Sequence, residues 1–173
     1  DAGSGRFAGT PTTAGIWRTQ VTAQGAGTAS STEFTWTVTA APLARYVQLQ
    51  ALADIGNAGW ASVAELDVLD PAGQVLPRGG WTVGASSAEA GRPATAVLDG
   101  NPGSWWQSGV SGQPHQLTLD LRTARAIGGI RLLPRQVGDL AGTIGRFRVL
   151  TSVDGVNWSA SLADGDFARW NDT

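Results

Sequence analysis

Apolar and polar positions alternate with period two along most of the chain, and almost nowhere with the three-to-four spacing of a helix. Phe34, Trp36 and Val38 share one face of residues 32–39, and residues 16–22 alternate before the turn Gly25-Ala26-Gly27. Successive strand side chains point to opposite faces, so this pattern predicts a hairpin. Two strands do not make a stable domain alone. Beyond Ala40-Ala41-Pro42, a linker by composition, residues 45–50 and 63–68 alternate again, separated by a polar loop through Asn57, Gly59 and Trp60. Residues 117–121, 127–133 and 147–151 predict further strands. Asp154-Gly155, between the last of these and Trp158, is a hairpin signal, and Asp70-Pro71-Ala72-Gly73 reads as a type I turn.

Composition agrees. Of 173 residues, 42% are apolar and 15% charged, enough to bury a core. Glycine is abundant, and Glu with Lys, the usual formers of surface helices, total three. The fold class predicted is all-β. All 12 cationic residues are Arg, scattered singly in a chain of net charge −2. No basic stripe exists for nucleic acid. No apolar run is long enough to span a membrane. The absence of Cys and the single His exclude a disulfide framework, Cys-type zinc sites and any site needing two histidines. Glu33, Glu65 and Glu89 are the only glutamates and the aspartates mostly mark turns, so no carboxylate pair for glycoside hydrolysis is visible. The expectation is a protein without catalysis of its own.

Residues 78–160 carry an ordered series of motifs: Trp81-Thr82-Val83, Ala96-Val97-Leu98-Asp99-Gly100-Asn101, Trp105-Trp106, Pro114-His115, Leu117–Leu121, Ile130–Gln136 and Thr151–Trp158. This series resembles the coagulation-factor type C, or discoidin, domain, a galactose-binding-like jelly-roll β-sandwich. Within that family it is most similar to family 32 carbohydrate-binding modules and the N-terminal domain of galactose oxidase, which holds none of that oxidase's copper ligands. Residues 1–40, with Gly9-Thr10-Pro11 before the hairpin, resemble the end of a bacterial cadherin-like, immunoglobulin-type repeat. Family members end with a strand like Ala-Arg-Tyr-Val-Arg-Leu followed by Ala-Glu. Here that pattern comes first, as Ala44–Leu49 and Ala64–Val68. Two explanations stand: a circular permutation in which residues 43–70 supply the closing strands of a domain spanning 43–173, or a truncated copy beside a leftover one.

The resemblance implies a structural calcium ion. Its ligands would be the side chains of Asp99, Asn101, Ser104 and Glu65 with the carbonyls of Ala96 and Ala64. A hard cation takes six to eight oxygens, which suits the oxygen-rich turn 99–104. Ser104 stands where the family often has Thr, and keeps the hydroxyl. A sugar site would draw on Trp60, Trp106, Gln107, Arg135 and Gln136, because sugars need an aromatic platform and fixed hydrogen-bonding groups. Galactose-binding members usually have His where this chain has Gln107, and Asn where it has Ala141. Trp105 and Trp158 are expected in the core, and Trp60 exposed in its loop. Arg135 could instead pair with Asp139. His115 occupies a position that is not catalytic in the family.

The partners implied are a polysaccharide or other glycan and covalently linked domains of a larger, exported or cell-surface protein. The alternative is a structural or protein-contact module that has lost sugar binding. Membrane-lipid binding would need exposed apolar loop tips, for which only Trp60, Val110 and Leu140 offer themselves.

Overall fold

The computed structural model describes residues 13–25, 27–110 and 112–167; the stretch around Gly9-Thr10-Pro11 and Ala26 of the first turn lie outside them. The chain divides into two compact units, Asp1–Ala41 and Pro42–Thr173. In the first, β1 (Gly15–Gly25) and β2 (Thr28–Val38) form an antiparallel hairpin. Trp17 stands opposite Trp36 and Thr19 opposite Phe34, so the aromatic residues share one face. The Trp36 indole N–H donates to Thr19 Oγ1 at 2.9 Å.

The second unit is built from β3 (Leu43–Asp54), β4 (Ser62–Val63), β5 (Glu65–Leu69), β6 (Thr82–Ala85), β7 (Trp106–Gln107), β8 (His115–Ala126), β9 (Gly129–Leu133), β10 (Ile144–Ser152) and β11 (Ala163–Asp166). The one helical turn among the described residues is a 3-10 turn, Ala94–Leu98. The all-β expectation holds. Five strands form one antiparallel sheet in the order β11-β10-β3-β8-β6, while β4 pairs with β7 and β5 with β9. The first strand of the unit is therefore the central one: Val47 pairs with Leu119 on one side and Thr151 on the other.

Alternation places the core. Val47, Leu49 and Ala51 of β3, Leu117, Leu119 and Leu121 of β8 and Val149 of β10 turn inward and are at most 3% exposed. Val63, Leu66, Val68, Trp106 and Ile127 close the same cluster from the β4–β7 and β5–β9 side. This is a β-sandwich core, with inner faces meeting and polar residues turned out. β5 is buried on both faces. Leu66 and Val68 enter the core, while Glu65 and Asp67 point the other way beneath Arg78 and Arg131.

Two predicted spans shift. The strand expected over 117–121 runs on to Ala126, because Arg122 takes a positive φ of 69° and lets the chain kink and pair again with Leu43 and Ala44. The strand expected over 127–133 begins at Gly129; Ile127 donates its N–H to the Pro42 carbonyl and drops its side chain into the core.

Candidate functional site

Two loops meet at one end of the sandwich. The first, between β3 and β4, carries Trp60; the second, between β9 and β10, carries Arg135. Asp54, the last residue of β3, ties them together. Its carboxylate accepts the N–H groups of Ala58 (2.8 Å) and Gly59 (3.1 Å) in its own loop and of Gly142 (3.3 Å) in the other. His115 adds a second tie. Its Nε2 lies 3.0 Å from the Gly59 carbonyl, which can only accept, so this nitrogen carries the proton. A buried His spent on holding a loop is not placed for catalysis.

Trp60 is half-buried and lies flat over Gly142. A Cβ at Gly142 would stand 1.9 Å from the indole Cζ3, so only glycine admits the ring here. The Arg135 guanidinium is 5.4 Å from the Trp60 ring centre and 5.9 Å from that of Trp105. Its Nη2 donates to the carbonyls of Asp139 (3.0 Å) and Ala141 (2.8 Å), and the Asp139 carboxylate stands 3.6 Å away. The expected pairing with Asp139 is present, and Arg135 is braced by its own loop beside the two aromatic rings.

Trp105 is half-buried rather than in the core, and Arg92 lies over its ring at 3.5 Å. Arg92 also accepts the Gln107 N–H at its carbonyl, 3.4 Å, which links it to β7. Gln107 pairs with Ser62, one residue past the Trp60 loop. The structure therefore gathers Trp60, Trp105, Arg92, Gln107 and Arg135 on neighbouring elements. Trp106 is a correction to the expected set. It is 1% exposed, packs in the core and donates its indole N–H to the Ser87 carbonyl at 2.9 Å, so it offers no face to a ligand. Gln136 is exposed and folds its amide back onto the Pro134 carbonyl. Trp158 is half-buried at a bridge to Ser152.

Elsewhere, the turn after the 3-10 segment gathers oxygens. Asp99 Oδ1 accepts the Asn101 N–H at 2.8 Å, and Oδ2 accepts the Ser104 hydroxyl at 2.6 Å. The 3-10 segment packs against β5, which begins at Glu65. One carboxylate oxygen of Glu65, Oε2, accepts from Arg78; the other, Oε1, is buried with no donor among the described residues. Asp67 beside it accepts from Arg78 and Arg131. Burial pushes the Asp67 carboxyl up, but those two guanidinium contacts outweigh it and hold it below the usual carboxylate range.

The model of one protein family matches residues 82–172, more than half of the chain, and that family is described as the F5/8 type C domain. The chain belongs to this family. Among curated proteins, the chain is similar to galactose oxidase of Gibberella zeae, 36% identical over 102 residues, or 56% of this chain and 15% of that protein. Sialidase of Micromonospora viridifaciens is 32% identical over 87 residues, 47% of this chain and 13% of that protein. The chain thus spans a small fraction of either relative. No helix among the described residues is long and apolar enough to cross a membrane.

The F5/8 type C resemblance implies a calcium ion, and one feature of the structure suits it, the buried oxygen of Glu65. An unpartnered buried carboxylate oxygen is costly, and a cation is a natural partner for it. Glu65 Oε1 meets that description, and the strand that carries it packs on the segment leading to Asp99, Asn101 and Ser104. Among the described residues no three of the His, Cys, Asp and Glu type cluster as ligands, but the expected set has only two carboxylates and completes itself with Asn, Ser and carbonyl oxygens. Asp54 and Arg92 are the residues that sequence reasoning missed. Asp54-Ile55-Gly56 resembles any turn, and nothing in the chain announces that its carboxylate reaches across to Gly142.

Proposed function

We propose that residues 42–173 form a non-catalytic carbohydrate-binding module of a longer exported protein, with the sugar face built from Trp60, Trp105, Arg135, Arg92 and Gln107. The observation that carries this reading is the assembly itself. Two indoles and two guanidinium groups are brought together by loops that Asp54 and His115 clamp in place. Aromatic rings suit the C–H face of a sugar, and guanidinium and amide groups suit its hydroxyls. Both named relatives, an oxidase of galactose and a sialidase, are called after sugars, which supports the ligand class. Glu65, Asp99, Asn101 and Ser104, with the carbonyls of Ala64 and Ala96, would hold a structural Ca²⁺ in this reading. Residues 43–70 act as the closing strands of a permuted domain: they lie before the family match that starts at residue 82, yet supply the central strand of the sheet.

A structural or protein-contact role is the second reading. It is favoured by Arg92 covering a face of Trp105 and by Arg135 donating to carbonyls of its own loop. Screening the purified chain on an array of plant, bacterial and animal glycans separates the two. Retention of a glycan that Trp60→Ala abolishes is the expected result. An array on which nothing is retained, or retention indifferent to Trp60→Ala, would overturn the sugar reading in favour of the second.

A further inference from the structure

The outer face of the five-stranded sheet holds a cleft lined by residues other than those assigned above. Its volume is about 410 Å³, and β10 contributes Arg146 and Arg148 to its lining. β11 contributes Asp164 and Asp166, and Leu52 and Pro114 supply apolar surface. A cavity of this size lies within the range of small-molecule sites. Its concavity has a local cause. The β10–β3 ladder slips twice, between Ile144 and Arg146 and again between Arg146 and Phe147, leaving Gly145 and Leu52 without opposed partners. Such irregularities bend the strands and re-aim their side chains.

Charge is arranged unusually here. The register sets Arg146 opposite Asp166 and Arg148 opposite Asp164. Opposite charges directly across an antiparallel pair attract, and elsewhere in this protein they close: Arg131 stands opposite Asp67 and bonds it at 2.6 Å. The four groups of the cleft do not close. Among the described residues, none of the four makes an ion pair or side-chain hydrogen bond, and all four are exposed. They stand as separate donors and acceptors around an apolar floor, and the charges of the two arginines and two aspartates cancel.

We propose that this cleft is a second glycan site, taking a neutral sugar ring. Adjacent hydroxyls would donate to the carboxylates of Asp164 and Asp166 and accept from the guanidinium groups of Arg146 and Arg148, while the ring's C–H face rests on Pro114 and Leu52. The balanced charge rejects strongly acidic and strongly basic polymers alike. Two weak sites on one module would engage one polysaccharide together, and linkage raises the second site's effective concentration. The inference stands apart from the loop-end reading.

The test is an NMR titration of the ¹⁵N-labelled full chain with galactose, N-acetylgalactosamine, lactose, glucose and mannose. The signals followed are the backbone amides and Arg Nε–H groups of the cleft and the Trp60 indole N–H. With at least one sugar, saturable shifts are expected at Arg146, Arg148 and Asp164, and Asp164→Ala should weaken that binding about tenfold, as loss of a charged hydrogen-bond partner does. Because Asp164 is exposed and unbonded, the variant should keep the wild-type melting midpoint. Shifts at Trp60 with a silent cleft would overturn the second site and leave the loop-end site standing. Shifts at the cleft with Trp60 silent would support the second site and count against the first. Silence at both, across all five sugars, would overturn both.

Discussion

Replacing Gly142 by alanine probes how the Trp60 face is built. Gly142 has φ of +70°, a conformation that costs an L-residue about 1 kcal/mol or somewhat more. The new methyl would stand 1.9, 2.0 and 2.5 Å from three carbons of the Trp60 ring. Ordinary carbon contacts begin near 3.5 Å, so the ring must retreat by about 1.5 Å. That retreat breaks its contact with Arg135, worth about 0.5–1 kcal/mol at a partly exposed site. The sum is a loss of about 2 kcal/mol, of which about half belongs to the backbone and half to the ring. Urea unfolding of wild type, Gly142→Ala, Trp60→Ala and the double variant forms a cycle that separates the halves. The expected result is a coupling of about 1 kcal/mol, because alanine at 142 has no ring to push in the Trp60→Ala background. If Gly142→Ala lowers stability equally in both backgrounds, the stacked arrangement is wrong.

Three further outcomes follow from other parts of the molecule. Trp106→Ala should lower stability by about 3–5 kcal/mol in urea unfolding, as loss of a buried indole does, whereas a loss under about 1 kcal/mol would return Trp106 to the surface. Asp120 has its carboxyl held at about 2, below the ordinary 3.8 of an aspartate, chiefly by the Arg45 side-chain hydrogen bond, with burial opposing and the Arg122 backbone N–H assisting. A carboxyl lowered on folding stabilises above its unfolded value, so unfolding midpoints should fall as pH drops from about 4 to about 2, and fall less steeply in Asp120→Asn. Millimolar Ca²⁺ should raise the thermal midpoint and chelator lower it, with both responses lost in Glu65→Gln and Asp99→Asn; a midpoint indifferent to Ca²⁺ in wild type would sink the ion.

Much of the architecture was legible because a half-buried strand writes its two faces into the sequence. The alternation in residues 45–50 and 117–121 located β3 and β8, and the Phe34–Trp36–Val38 stripe located β2. What alternation cannot carry is the far end of a strand whose residues are exposed on both faces. Residues 122–125 have no buried member, so the extension of β8 to Ala126 left no trace. Neighbouring tryptophans posed a related difficulty. Trp105 and Trp106 differ by one position, adjacent positions near a strand face opposite ways, and only packing decides which ring goes inward. The candidate site was half legible for the same kind of reason. Trp60 and Arg135 stood out by residue type, whereas Asp54 and Arg92 act through contacts that join distant parts of the chain.

The central place of β3 has a consequence for how the protein is made. β3 leaves the ribosome before either strand that will flank it, and the Arg45–Asp120 bond alone spans 75 residues. Pairings so distant in sequence are slow to form, because a long loop must close before any contact rewards it. During synthesis β3 is therefore an alternating strand with two bare edges, the kind of segment that chaperones bind and that pairs with other nascent chains. Nascent chains arrested before Ile144 would carry β3 and β8 without β10, and stay sensitive to protease. Resistance should arrive in one step, once the chain through Ser152 has cleared the exit tunnel.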